Sequence, residues 1–180
     1  IHGSSFVSSQ NEVDYSVVAN RVINACLDAI NRLHTETGDS SIDPAILLQV
    51  AETTGEGSSY KNGEIAGGYE AANTAILSQL DERAVEGVDG GVMHYYYNVE
   101  REDGLTFVQA DDAREARRIP ERFNNFEEQI GKDLVLYSTE WNVGAANITQ
   151  HGAASASVLL EMLEIMVLAG VDNAHVWPLQ

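Results

Sequence analysis

Apolar residues recur along the chain first at helical spacing and then in short continuous runs. The helical spacing predicts an amphipathic helix near the start, and its apolar stripe consists of Tyr15, Val18, Ala19, Val22, Cys26, Ala29, Ile30 and Leu33. Ser9 and Glu12 have the spacing of a capping box, which predicts where this helix begins. The run AILLQVAE, residues 45–52, is short and apolar, so it predicts a strand that is buried on both faces.

Helix and strand patterns alternate along the rest of the chain. Pro120 suits the first turn of a helix, and Gly170 suits a C-terminal cap. The predicted helices cover residues 69–85, a segment from about 120 onward, and 152–170. The predicted strands cover residues 90–98, 134–140 and 171–180. Strands that alternate with helices predict an α/β domain with a parallel sheet and right-handed crossovers.

Two α/β architectures fit this alternation, an open doubly wound sheet and a closed barrel. No G-x-G-x-x-G or Walker A run follows any predicted strand, although an open sheet that binds nucleotides usually carries one. In a (β/α)8 barrel the C-terminal ends of the strands converge on one face, where active sites lie. Polar and aromatic residues end every predicted strand, namely Glu52, His94 to Tyr97, Glu140 to Asn142, and His175 to Trp177. This pattern favours the barrel.

Four strands cannot close an eight-stranded barrel, which typically takes about 250 residues. We therefore expect residues 1–180 to form one partial domain, the C-terminal half of a TIM (β/α)8 barrel with about strands five to eight. The first four strands are expected to be missing from this chain. Half a barrel leaves edge strands and apolar helix faces uncovered, so we expect the isolated piece to be inactive and poorly stable.

Composition narrows the range of partners. Asp and Glu number 28 against 10 Lys and Arg, which gives a formal charge of −18 and argues against nucleic acid as a partner.

The single cysteine, Cys26, excludes an internal disulfide and is predicted to be a buried structural thiol. No segment of the sequence is apolar over the length needed to span a membrane. The acidic balance suits a secreted, extracellular protein, for which an export signal would lie outside this chain.

The ends of the two central strands carry motifs of a known enzyme group. STEWNV at 138–143 and HYYY at 94–97 resemble motifs of the retaining (β/α)8 glycoside hydrolases of families 39 and 51, which include β-xylosidases and α-L-arabinofuranosidases. DYSVVAN at 14–20 is similar to the helix starts that follow strand four in these families. In them a T/D-E-W-N motif closes strand seven, and its glutamate is the nucleophile. The resemblance implies that Glu140 is the nucleophile and that His94 and Tyr96 form the H-x-Y pattern of strand six.

The resemblance also implies a second carboxyl group, the general acid/base. In these families it is a glutamate in an N-E motif that ends strand four, so we expect it before Ile1 and outside this chain. Asn11 and Glu12 form an N-E dipeptide, but no predicted strand precedes them and they open a helix. We interpret Glu12 as a helix cap and do not assign it the acid/base role.

Five residues are candidates for substrate binding, namely His94, Tyr96, Trp177, Asn142 and Glu52. His94 and Tyr96 are two residues apart in a strand, so both are expected to point into the pocket. Tyr96 is expected to hydrogen-bond the ionised Glu140, which would stabilise the charged form. Trp177 offers an indole face to the C–H surface of a sugar, whereas Trp141 is expected to lie in the wall or core. Asn142 is expected to hydrogen-bond a hydroxyl group or the loop. Glu52 is the other carboxylate at a strand end and by position a candidate second acid, but strand five does not supply the acid/base in the families that the motifs resemble. It is therefore interpreted as a substrate-binding residue or as a capping or solvated acid.

The predicted function is a double-displacement O-glycoside hydrolase that acts on an oligo- or polysaccharide. Alternatively, Glu140 is an exposed loop acid and His94 is a core histidine. These interpretations would fit a non-catalytic carbohydrate-binding or structural barrel. An α/β enzyme of different chemistry is a third possibility, because one fold hosts many functions. The histidines lack H-x-x-x-H spacing and the acids lack calcium-loop spacing, so no metal or cofactor is expected.

Overall fold

The computed structural model of the protein describes residues 12–51, 68–97, 113–143 and 153–176. These residues form an α/β fold, as the alternating pattern predicts. The elements are α1 (Glu12–Thr37), β1 (Leu47–Gln49), α2 (Gly68–Leu77), α3 (Glu82–Gly87), β2 (Gly90–Tyr97), α4 (Ala113–Ile130), β3 (Val135–Val143), α5 (Ala153–Leu168) and β4 (Asn173–Val176). Ser9, the predicted first member of the capping box, lies outside the described residues.

The four described strands form one parallel sheet in the order β1-β2-β3-β4. Leu47 pairs with Gly90, Gly90 with Val135, and Tyr137 with Asn173. Each strand therefore lies beside the next one along the chain, and the order does not reverse within the described sheet. Among the described strands, β1 and β4 each pair along one edge only, so the sheet is open at both sides.

The helices form one layer on one face of this sheet. In that layer α1 packs on α2, α2 on α4, and α4 on α5, while α4 and α5 also contact β2 and β3. Side chains alternate along a strand, so every second residue points into the core between the layers. The largest fully buried apolar side chains are Phe126, Leu48, Met93, Ile119, Leu136, Met166, Val50 and Val88.

The opposite face of the sheet, which we call the open face, has no described helix over it. It carries the alternate residues of the strands, among them Gln49, Val92, His94 and Tyr137, which are half-buried. Val135 on this face is 39% exposed. The prediction that the first strand is buried on both faces is therefore wrong: Leu48 is buried, whereas its neighbours in β1 are only half-buried.

Gly90, the first residue of β2, and Gly87, the last residue of α3, differ in the atoms that an added Cβ would meet. A Cβ added at Gly90 would lie 2.5 Å from the carbonyl oxygen of Val135, which belongs to the neighbouring strand. A Cβ added at Gly87 would lie 2.7 Å from a terminal methyl group of Leu27, which can rotate away. We expect Gly90→Ala to lower the unfolding free energy of the complete protein by about 1–3 kcal/mol because strand backbone must move.

Urea denaturation of the two alanine variants measures this difference. Gly87→Ala is the matched control and should have a smaller effect than Gly90→Ala. Equal midpoints for Gly90→Ala and the unsubstituted protein would show that β2 and β3 are not packed as closely as the structure places them.

The buried side of α1 differs from the predicted stripe. Ser16, Ala19 and Ile23 are buried, whereas Val22 is 54% exposed and Cys26 is also exposed. The prediction of a buried structural thiol is therefore wrong. The physical reason is that Ser16 takes a core position, where its Oγ accepts a hydrogen bond of 3.0 Å from the backbone N–H of Gln79. This contact turns the helix so that the thiol points outward.

The single helix predicted over residues 69–85 is two helices. Helix α2 ends at Leu77, and α3 starts at Glu82 with Asp81 as its N-cap. The Asp81 carboxylate accepts a hydrogen bond of 2.8 Å from the backbone N–H of Ala84. The side-chain amide of Asn24 on α1 also donates to it at 3.0 Å. An aspartate with these local partners favours a cap over a helix interior, which accounts for the break.

The Asp81 cap makes stability depend on pH. The hydrogen bond from the Ala84 backbone N–H, assisted by Asn20 and Asn24, holds the pKa of Asp81 below its ordinary value. Because the folded-state pKa is depressed, the stabilisation is present above pH of about 4 and is lost as the pH falls through the folded pKa. We expect Asp81→Asn, which keeps a capping side chain, to weaken the dependence of the urea midpoint on pH between about 6 and 3.

The matched control for this prediction is Asp43→Asn, which removes the same charge from an exposed position in the loop after α1. It should leave the pH dependence close to that of the unsubstituted protein. If both variants have the same pH dependence as the unsubstituted protein, Asp81 does not supply the acid sensitivity.

The predicted start of α4 is wrong, whereas the predicted end of α5 is confirmed. Helix α4 begins at Ala113 and contains Pro120 in its interior, so the prediction that it starts at about Pro120 is wrong. Helix α5 ends as predicted, because Gly170 has a φ of +80° and the backbone N–H of Val171 donates to the carbonyl of Met166 at 3.0 Å. A glycine in this left-handed conformation is a common helix C-terminus.

Candidate functional site

An extra residue interrupts the pairing of β3 with both of its neighbours. On the β2 side Met93 pairs with Ser138, and the next residue, His94, pairs with Glu140. On the β4 side Ser138 pairs with Ala174 and Trp141 pairs with Val176, so two residues of β3 lie opposite the single residue between them. Thr139 is therefore the extra residue of a β-bulge, a feature that redirects side chains and is common beside active sites.

The bulge decides which face of the sheet carries Glu140. Leu136 and Ser138 are buried toward the helices, so an uninterrupted strand would also point Glu140 into the core. The extra residue shifts the alternation, and Trp141 takes the core position with 4% of its surface exposed. Glu140 is half-buried and pairs with His94, which places both side chains on the open face.

The predicted end of the third strand is wrong, because β3 continues past Glu140 to Val143. Glu140 is not an exposed loop acid but a half-buried residue within a strand. The hypothesis that Trp141 belongs to the wall or core is confirmed. Asn142 is 7% exposed and, two residues after Glu140, lies on the same face of β3.

His94 contacts the bulge directly. Its Nε2 lies 3.1 Å from the hydroxyl oxygen of Thr139, within hydrogen-bonding distance. His94 is half-buried and does not belong to the apolar core cluster. The imidazole and the carboxylate of Glu140 therefore lie on neighbouring strands of one face, with the Thr139 hydroxyl beside them.

Three of the predicted site residues lie wholly or partly outside the described structure. Tyr96 lies in β2 opposite Asn142, while its side chain is outside the described structure. Glu52 and Trp177 both lie outside the described residues, and their proposed roles in substrate binding stay predictions.

The structure adds His175 of β4 to this face. His175 lies between Ala174 and Val176, opposite the Thr139–Glu140 pair, and strand alternation places it on the open face. It is exposed. The sequence marks it only as a strand-end histidine, because its face depends on the register between β3 and β4. Glu140 thus has a histidine on each neighbouring strand.

Glu12 is a second carboxylate at the same end of the fold. The backbone N–H of Gln49, the last residue of β1, donates to the hydroxyl of Tyr15 at 3.1 Å. This contact places the first turn of α1 at the C-terminal end of the sheet, and Glu12 is its first residue. The Glu12 side chain is 2% exposed, which is unusual for glutamate, a residue that is almost never fully buried unless it is paired.

Comparison with known proteins finds no matching family model, no matching curated protein and no matching solved structure. The arrangement of side chains on the open face is therefore the basis for a functional proposal.

A buried asparagine connects this end of the sheet to the helix layer. The Oδ1 of Asn73 on α2 accepts a hydrogen bond of 3.0 Å from the backbone N–H of Ala51, which follows β1. Its Nδ2 donates to the carbonyl oxygen of Arg122 at 3.1 Å and to the Oδ1 of Asn125 at 3.0 Å. Asn73 is fully buried. Sequence periodicity does not single it out, because an asparagine in a helix pattern is usually a solvated residue.

Among the described residues, no group of three His, Cys, Asp or Glu side chains is arranged to hold a metal ion. None of the helices in the described ranges is long and apolar enough to cross a membrane. The chemical groups on the open face are a carboxylate, imidazoles, a hydroxyl and an amide. Together they can bind hydroxyl groups, and the carboxylate can attack an electrophilic carbon.

Proposed function

We propose that this chain forms the second half of a (β/α)8 barrel, with the open face as the barrel interior. The order of the four described strands supports this proposal, because it follows the chain without the reversal that defines a doubly wound sheet. The described helices all lie on one face of the sheet, which supports it as well, since a doubly wound sheet carries helices on both faces. In a barrel, Glu140, His94 and Asn142 would point inward at the end of the strands where active sites lie.

Exposed apolar residues at both ends of the helix layer also support a larger barrel. On α5, Leu160 is 68% exposed and Val167 is 65% exposed. At the other end of the layer, Val18 and Val22 of α1 are 43% and 54% exposed. Contiguous apolar surface of this kind marks a contact with another element. In a complete barrel the neighbouring helices would cover both stripes, and further strands would pair with β1 and β4.

We further propose that the protein is a retaining glycoside hydrolase with Glu140 as its nucleophile. The observation that carries this proposal is the bulge, which places a half-buried carboxylate on the open face beside His94. The resemblance of the STEWNV and HYYY motifs to retaining (β/α)8 glycosidases points to the same residue.

In this mechanism the ionised Glu140 attacks the anomeric carbon while the bond to the leaving oxygen breaks. A second carboxyl group protonates that oxygen, and it then removes a proton from the water that hydrolyses the glycosyl ester. Tyr96, Asn142, Trp177 and Glu52 are proposed to bind the sugar or to orient the nucleophile. The substrate is proposed to be an oligo- or polysaccharide.

The second carboxyl group is expected in the part of the barrel that precedes α1. Glu12 competes for this role, because it is buried at the end of the sheet where Glu140 lies. The two assignments differ in what Glu12→Gln does to the complete protein. If Glu12 is the acid/base, the variant loses deglycosylation, and added azide restores turnover by forming a glycosyl azide. If the acid/base lies elsewhere, azide has no effect on the variant.

The experiment that tests the proposed function is hydrolysis of a panel of aryl glycosides by the complete protein, with the anomer of the first-formed sugar observed by NMR. Net retention of configuration supports the proposal, because double displacement inverts the anomeric carbon twice. First formation of the inverted anomer would contradict it. Carbohydrate binding without hydrolysis of any substrate would favour the alternative of a non-catalytic carbohydrate-binding barrel.

A further inference from the structure

We infer that Thr139 is a positioning residue for Glu140, which it holds on the open face by acting as the extra residue of the β3 bulge. This inference rests on the proposed function, since it gives the bulge a role in delivering the nucleophile. Thr139 itself contacts His94 rather than the reacting atoms, so it acts through the orientation of its neighbour.

The register supports this role from both sides of β3. The shift occurs against β2 between Met93 and His94 and against β4 between Ser138 and Trp141. Two independent ladders therefore agree on where the extra residue lies. A one-residue change in register moves every following side chain to the other face of a sheet. If Thr139 instead took a regular position in the ladder, opposite His94, Glu140 would face the helices and Trp141 would leave the core.

The hydroxyl of Thr139 provides the contact that stabilises the bulge on the open face. An extra residue interrupts the strand ladder, so the bulged conformation needs compensating interactions. They include the hydrogen bond between Thr139 Oγ1 and His94 Nε2 at 3.1 Å and the burial of Trp141. The hydrogen bond to His94 depends only on the Thr139 hydroxyl, so a substitution at Thr139 can remove it without changing Trp141. Valine keeps the shape of threonine without the hydroxyl, and serine keeps the hydroxyl without the methyl group.

The kinetic test compares Thr139→Val with Thr139→Ser in the complete protein, using an aryl glycoside substrate. A carboxylate misplaced by about 1 Å can lose about a hundredfold in rate, so we expect Thr139→Val to lower kcat by about 10- to 100-fold. KM should change little, because the binding groups remain. Thr139→Ser keeps the hydroxyl, so its kcat should lie within about threefold of that of the unsubstituted protein. Thr35→Val, which removes an exposed hydroxyl on α1, is the matched control and should leave both constants unchanged.

The structural test does not require activity. A crystal structure of the complete protein with Thr139→Val should show the Glu140 side chain displaced from its place beside His94, whereas Thr139→Ser should keep it there. If Glu140 has the same position in Thr139→Val as in the unsubstituted protein, the inference is wrong, whatever the enzyme does.

The two tests also separate this inference from the proposed function. If the unsubstituted protein hydrolyses no glycoside, the proposed function fails, while the position of Glu140 in the crystal structure of Thr139→Val still decides the role of Thr139. If the unsubstituted protein is active and Thr139→Val has the same kcat, the proposed function stands and the positioning role fails.

Discussion

Replacement of Glu140 by glutamine in the complete protein is expected to lower kcat for glycoside hydrolysis by about 10⁴-fold or more, as removal of a catalytic nucleophile generally does. The amide has nearly the same shape as the carboxylate, so the strand register and the contact between His94 and Thr139 should remain. It cannot form the glycosyl ester, because the neutral amide oxygen is a poor nucleophile. KM should change little, and steady-state kinetics with an aryl glycoside measure both constants.

Glu161→Gln is the matched control for this prediction. It makes the same chemical change at an exposed position on α5, away from the open face, and should leave kcat unaltered. Activity of Glu140→Gln above about a tenth of that of the unsubstituted protein would be too high for a missing nucleophile. Glu140 would then be a binding residue at most.

Asn73→Ala is expected to cause a large loss of stability, because Asn73 connects α2 to β1 and α4 through buried hydrogen bonds. Its side chain makes three hydrogen bonds, with the backbone N–H of Ala51, the carbonyl oxygen of Arg122 and the amide of Asn125. Each buried polar group left without its partner costs about 1–3 kcal/mol. Because alanine leaves more than one such group in a fully buried position, we expect the unfolding free energy to fall by about 3–5 kcal/mol.

Urea denaturation of the complete protein measures this loss, and Thr74→Ala provides the control. Thr74 is the next residue of α2, is exposed, and hydrogen-bonds Gln129 and the carbonyl oxygen of Glu70. Its replacement should cost much less than that of Asn73. If the two variants have similar midpoints, the buried amide does not connect β1 to the helix layer in the way the contacts indicate.

The strands and their parallel arrangement could be predicted from the sequence because strand and helix patterns depend on local spacing. Gly170 is a good example, since a glycine after an apolar helix run specifies the C-terminus through its own conformational freedom. The break at Asp81 could not be predicted in the same way. It depends on Asn20 and Asn24, which are distant in sequence and approach only when α1 packs on the other helices.

In the candidate site, too, the residue types could be predicted from the sequence, but the orientation of Glu140 could not. Strand-end polar residues identified Glu140, His94 and Asn142, and the structure places all three on the open face. The reason that Glu140 faces outward could not be predicted, because period-two alternation along the strand would point it into the core with Leu136 and Ser138. Only the pairing with neighbouring strands reveals the extra residue.

Burial on α1 illustrates a further limit of sequence patterns. Apolar periodicity gave Cys26 a core position, but Ser16 occupies the core through a hydrogen bond to Gln79, a residue far along the chain. Likewise, the N-E dipeptide containing Glu12 indicates a helix start, whereas the burial of the Glu12 side chain at the C-terminal end of the sheet depends on how α1 meets β1. Polar groups in a core are determined by partners from other elements.

The most direct measurement of the central claim is mass spectrometry of the complete protein after incubation with a 2-fluoro aryl glycoside. Such a substrate glycosylates the nucleophile and then hydrolyses slowly, so the glycosyl ester accumulates. The proposed mechanism predicts one glycosyl adduct, carried on the peptide that contains Glu140 and absent from Glu140→Gln. An adduct on a different carboxylate, in a protein that hydrolyses the parent glycoside, would contradict the assignment of Glu140 as the nucleophile.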